Sequence, residues 1–73
     1  MIGKIIKYMR KNKGYTQKEL AEIIGVAQTT LSGYETGYSS PVFDIIKDIS
    51  ENCDYEIIFV NKTTRKQITI NKN

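Results

Sequence analysis

At 73 residues the chain has room for one domain, whose core supplies only about 3–5 kcal/mol without disulfides, metal or oligomerisation. One cysteine, Cys53, excludes an internal disulfide and a cysteine-cluster zinc site; the absence of histidine removes the usual general base and the commonest metal ligand. The net charge of +3 is modest, and no apolar run approaches the ~20 residues of a bilayer span. With no N-terminal apolar core and cleavage site, the expectation is a cytoplasmic chain without membrane contact.

Ile2, Ile5, Ile6 and Met9 recur at helical spacing and predict a first helix from Gly3 to about Asn12, with Gly14 suited to a left-handed C-terminal cap. Thr16 begins a second helix. Glu19 stands three residues later, which makes Thr16-x-x-Glu19 a capping box. Leu20, Ala21 and Ile24 form its buried face, and Gly25 ends it. A third helix runs from about Gln28 to Glu35, with Leu31 and Tyr34 inward and Gln28, Thr29 and Ser32 outward; Thr36-Gly37 closes it.

Ser39-Ser40-Pro41 reads as the start of a fourth helix, a serine cap followed by proline at the first helical position. Val42, Ile45, Ile46 and Ile49 give it a core face through about Asn52, and Cys53 reads as a small buried apolar residue. The pattern then changes. Tyr55–Val60 and Lys66–Asn71 are β-branched and aromatic, and the polar stretch between them turns the chain, so a hairpin is expected. The predicted fold is mostly α with a small β element: a four-helix unit over residues 1–53, then a C-terminal β-hairpin over residues 54–73 of the same domain.

Charge is unevenly spread. Residues 1–18 hold six cations and no acid, residues 19–56 eight acids and one lysine, and residues 57–73 four cations and no acid. Basic ends around an acidic middle fit a phosphate-facing surface, and equally fit ordinary solvated helix faces.

Thr16 to Gly37 carries the most information. Ala21 is small where two short helices cross, Gly25 permits the tight turn, and Val26 and Leu31 fill the space between them. Such a unit is either an αα-hairpin of any helical domain or one that lays an exposed helix into the major groove. The residues Thr16-Gln17-x-Glu19-Leu20-Ala21, Gly25-Val26, Gln28-x-Thr30-Leu31-Ser32 and Tyr34-Glu35-x-Gly37 resemble the lambda-repressor-like helix-turn-helix family of Cro and repressor (XRE) type. The resemblance covers residues 1 to about 53 and includes helix order, spacing and caps.

The resemblance implies roles for matching positions. Gln28 resembles the glutamine that reads adenine, since its amide donates and accepts at once. Gln17 looks like the glutamine that touches a phosphate and buttresses Gln28. Thr29 and Ser32 would face the bases. Gly33 would either let the backbone approach them or read nothing. Lys11, Lys13, Thr16 and Lys18 around the second helix, and Tyr38, Ser39 and Ser40 after the third, would meet phosphates. Arg10 and Glu35 match a family pair that ties the first helix to the end of the third, either partly buried or exposed. Two departures stand out: Ala27 is a weak helix cap, and the third helix has no lysine or arginine.

In the tail, Tyr55, Ile57 and Phe59 alternate with Ile58 and Val60. A hairpin has too little core to bury both faces, and its open edge invites a second chain. The expectation is a two-fold homodimer with Ile57, Ile58, Phe59, Val60, Ile68 and Ile70 in the interface; the alternative is a hairpin packed wholly within one chain. The resemblance thus implies a repressor that binds a palindromic stretch of double-stranded DNA as a dimer. A second reading is an antitoxin that pairs with a toxin protein and represses its own operon, and a third is an interaction module without DNA binding. No cofactor or metal is called for. An enzyme is not expected, because the chain shows no nucleophile–base pair and no phosphate loop.

Overall fold

Four apolar helix stripes converge on one small core, and the chain then leaves it as a hairpin. The computed structural model describes residues 1–70. Its elements are α1 (Ile2–Lys13), α2 (Gln17–Ile24), α3 (Gln28–Thr36), α4 (Phe43–Asn52), β1 (Ile58–Val60) and β2 (Gln67–Thr69). Each of the four helices buries at least one aliphatic side chain: Ile6 and Met9 from α1, Leu20 and Ala21 from α2, Leu31 from α3, and Ile49 from α4, with Cys53 beneath them. A side chain of this kind contributes roughly 1.5–3 kcal/mol when fully buried. Among the described residues no helix is long and apolar enough to cross a membrane.

Local chemistry sets most boundaries. Thr16 Oγ accepts from the Glu19 amide at 3.1 Å, and the Thr16 amide donates to Glu19 Oε1 at 2.8 Å, which completes the capping box. Gly25 ends α2 at φ 77°, a conformation that costs little only without a Cβ, and the Val26 amide then bonds the Ala21 carbonyl at 3.0 Å.

One glycine acts at long range. A Cβ on Gly3 would overlap the carbonyl oxygens of Tyr34 and Glu35, the latter at 2.7 Å. The missing side chain lets α1 lie directly on the last turn of α3.

The fourth helix starts later than its Ser-Ser-Pro signal predicts. Val42 is the N-cap, and its carbonyl accepts from Ile45 and Ile46 at 3.1 and 3.2 Å. The Ser39 amide is instead spent on the Gly33 carbonyl at 3.2 Å, which closes α3, and Pro41 in the connecting loop is buried. Val42 is therefore not a core residue but 67 % exposed.

The strands are also shorter than predicted. Asp54 turns the chain at φ 65°, and the Tyr55 amide bonds the Ser50 carbonyl at 2.8 Å, so this stretch finishes α4 before pairing begins. The antiparallel ladder pairs Ile58 with Thr69, Phe59 with Ile68 and Val60 with Gln67, and the Ile70 amide adds a bond to the Ile57 carbonyl. Asn61 builds the turn, its side-chain oxygen accepting from the Thr63 and Thr64 amides. The predicted strand end at Asn71, with residues 72–73, lies outside the described residues.

The Gly3 crossing yields a stability test. Gly3→Ala should lower the unfolding free energy in urea melts by about 1–3 kcal/mol, because a methyl group is forced against backbone. An unchanged midpoint would mean that α1 and α3 are free to move apart.

Candidate nucleic-acid interface

Helix α3 is two-sided. Leu31 and Glu35 are buried on one side, Thr29 is exposed and Ser32 half-exposed on the other, and Gln28, two turns before Glu35, is exposed at the helix N-terminus. Ala27 makes no side-chain cap; its carbonyl accepts from the Thr30 and Leu31 amides at 3.0 and 3.1 Å, and the Gln28 and Thr29 amides gain no acceptor from the cap residue.

What holds this helix is a buried ion pair. Arg10 Nε donates to Glu35 Oε2 at 2.6 Å and Arg10 Nη2 to Glu35 Oε1 at 3.0 Å. Arg10 Nη1 donates to the Tyr15 carbonyl at 2.9 Å, and Gln17 Nε2 donates to Glu35 Oε1 at 3.1 Å. Both charged residues are only 8 % exposed. The network joins α1, the α1–α2 loop, α2 and α3 at one point. Burial alone would raise the Glu35 pKa. The bonds from Arg10 and Gln17 outweigh it and hold the carboxyl below its ordinary value, while the bond to Glu35 pushes the Arg10 guanidinium up.

The structure distributes the predicted contact residues unevenly. Gln17 faces inward to Glu35 and makes no bond to Gln28. Lys11, Thr16 and Lys18 are exposed. Lys13 is paired with Asp54 Oδ2 at 2.5 Å, a bond that raises the lysine pKa. Beside it, Asn12 Nδ2 donates to the Tyr55 hydroxyl at 2.6 Å. Tyr38 is 91 % exposed, and Ser39 and Ser40 are exposed in the same loop.

Gly33 faces that loop: a Cβ there would meet Ser39 Oγ at 3.1 Å and the Tyr38 ring at 3.6 Å. The position makes room for the turn after α3. No local pattern marked this role, nor those of Gly3 and Asp54, because each depends on a contact distant in sequence or on the path of a loop.

The predicted interface residues fall on the hairpin. Ile58, Phe59, Val60 and Ile68 are exposed, and Ile57 and Ile70 are half-buried. Phe59 leans on Phe43 at the start of α4, ring centroids 6.4 Å apart. Cys53 is buried, and burial pushes its thiol pKa up, away from reactivity. Among the described residues no cluster of candidate ligands could hold a metal ion.

The sequence model of a helix-turn-helix family matches residues 6–60. The chain is 45 % identical over 51 residues to the antitoxin PezA of Streptococcus pneumoniae serotype 4, covering 70 % of this chain and 32 % of that protein. It is 35 % identical over 80 residues to the HTH-type transcriptional regulator ImmR of Bacillus subtilis, covering 97 % of this chain and 63 % of the relative. The chain therefore spans less than two thirds of either relative. The structure of SinR, a master regulator for biofilm formation, in complex with DNA superposes with a TM-score of 0.69 at 41 % identity, covering 75 % of this chain and 89 % of that one.

The ion pair makes two expectations measurable. Arg10→Met should cost about 3–5 kcal/mol in urea melts by leaving Glu35 buried and unpaired, and adding Glu35→Leu should recover most of the loss. A single variant losing less than about 1 kcal/mol would mean the pair acts like an exposed one. The pH dependence follows from the depressed Glu35 pKa. Its contribution is complete above the unfolded value of about 4.3 and is lost as pH falls through the lower folded value. The wild type should lose stability over that acid range more steeply than the double variant.

Proposed function

The chain belongs to the XRE-type helix-turn-helix family, and we propose that it is a sequence-specific DNA-binding transcriptional regulator of the repressor type. The observation that carries this reading is the exposed polar surface of α3, with Gln28 and Thr29 exposed in its first turn while Glu35, two turns later, is locked to Arg10. A recognition helix must present such a face without side chains of its own folding over it.

In this reading Gln28 contacts an adenine edge through paired donor and acceptor, and Thr29 and Ser32 line the same groove. Gly33 reads no base, because the space a side chain would take there meets Tyr38 and Ser39. Thr16, Lys11 and Lys18 meet phosphates on one flank, and Tyr38, Ser39 and Ser40 on the other. Gln17 serves chiefly as a positioning residue through Glu35. Lys13 adds a phosphate contact only by leaving Asp54. With no arginine or lysine in α3, affinity comes largely from the backbone contacts, and specificity from few bases.

One α3 covers too short a site for useful selectivity. The regulator therefore acts as a two-fold dimer, residues 1–53 binding one half of an inverted repeat and the C-terminal hairpin joining the copies. Occupying that site would block promoter access. A second reading, an antitoxin with a toxin partner, is favoured by the 45 % identity to PezA. It predicts a protein that co-purifies with the chain when both neighbouring genes are expressed together.

Selection of bound sites from random duplex DNA, followed by fluorescence titration, tests the reading. Gln28→Ala should cost about 1–3 kcal/mol on the selected site and relax preference at one base pair. Lys18→Ala should weaken every sequence alike and reduce the salt slope by about 0.9. If Gln28→Ala leaves the ratio of specific to random binding unchanged, α3 is not read against bases as proposed.

A further inference from the structure

The loop after α3 is tied back onto the helix at Gly33. The Gly33 carbonyl accepts from the Ser39 amide at 3.2 Å and from Thr36 Oγ1 at 3.3 Å. Gly37 turns the chain at φ 83°, and its amide bonds the Tyr34 carbonyl at 3.4 Å. Tyr38 stands between these two anchored residues, so its backbone is held on both sides. Its ring is thereby set beside Gly33, with a ring carbon 3.6 Å from the point that a Cβ would occupy there. Gly33 follows Thr29 by four residues, which puts that point on the Thr29 side of α3.

Tyr38 contributes little to the core, being 91 % exposed. Among the described residues no hydrogen bond engages its hydroxyl. The outward side chains of α3, Gln28, Thr29 and Ser32, are polar, and Tyr38 adds an aromatic surface beside them.

We propose that Tyr38 is a specificity-determining residue: its ring meets the 5-methyl group of a thymine in the major groove, and its hydroxyl donates to a neighbouring phosphate. The proposal rests on the DNA-binding reading above and deepens it. The thymine methyl is the apolar group that a base pair presents in that groove, and it is recognised by apolar contact rather than by hydrogen bonds. An aromatic side chain with a polar tip suits the groove wall, where the base edge is apolar and the backbone is charged. Gly33 is the condition for this arrangement. A side chain there would compete with the ring for the same space, its Cβ already 3.1 Å from Ser39 Oγ. The helix gives up a reading group of its own at position 33 and takes one from the loop.

Thymine-to-deoxyuridine exchange tests the assignment, because it removes one methyl group and leaves the hydrogen bonds of the base pair in place. The duplex is the site that the whole chain selects from random DNA, each thymine is exchanged singly, and circular dichroism confirms helical content in each variant. One exchange per half-site should weaken the wild type about fourfold, the value of one buried methyl group. The same exchange should weaken Tyr38→Phe equally and leave Tyr38→Ala unchanged. Tyr38→Phe should also bind every sequence a few-fold more weakly with an unaltered salt slope, since a neutral hydroxyl displaces no counterion. Exchange effects equal in wild type and Tyr38→Ala would overturn the base contact, as would an effect abolished by Thr29→Ser instead. Tyr38→Phe binding as tightly as wild type would overturn the phosphate contact. A chain that selects no site would overturn the DNA reading and this assignment with it. A selected site that needs Gln28, but at which no exchange depends on Tyr38, overturns this assignment alone.

Discussion

The fold turns on one guanidinium. Arg10 reaches from the last turns of α1 to Glu35 near the end of α3 and to the Tyr15 carbonyl in the intervening loop. Two charges so far out of water are weak contributors to net stability, because desolvation offsets much of their attraction. Their value lies in geometry. A planar fork that satisfies a carboxylate from two nitrogens fixes rotation as well as distance, which a lysine at the same position could not do. Gln17 adds a donor from α2, so the carboxylate is held by side chains from two other helices. The rotation of α3 about its own axis, and with it the direction of Gln28 and Thr29, is thereby set from its far end.

How legible all this is from sequence depends on the range of the interactions involved. The capping box at Thr16 and the turn at Gly25 follow from groups within a few residues of each other, and they stand where the spacing predicts. The start of α4 shows how a local signal is overridden. Ser-Ser-Pro is a sound cap by itself, but here the Ser39 amide closes α3 and the helix begins only at Phe43, with Val42 as its N-cap. Gly3, Gly33 and Asp54 carry no local pattern at all. Each is defined by a neighbour that the chain reaches only after folding or turning: the α3 carbonyls, the Tyr38 loop and Lys13. In the candidate site the outward set on α3 could be read from helical periodicity. The roles assigned to those residues came from family likeness, and the inward aim of Gln17 came from neither.

The proposed division of labour suits so small a core. A helix with few base-reading groups and no cation of its own cannot hold DNA alone, and a hairpin with exposed apolar faces cannot hold itself. Joining two chains would address both shortages with one surface, leaving α3 uncommitted. It would also make folding and assembly thermodynamically linked, so that protein concentration enters the apparent stability of each copy.

The last turn of α1 has a further consequence. Arg10 faces α3, while Asn12 and Lys13 grip Tyr55 and Asp54 just before the strands begin. This single turn thus connects the helix that would read bases with the segment that would join two copies. In a paired molecule it would help set the phase of the two reading helices, meaning the angle and distance at which they meet the duplex. Half-site separation would then be encoded by the joint at residues 54 and 55 rather than by α3. Substitutions at that joint could retune the spacing of a target while leaving its letters unchanged.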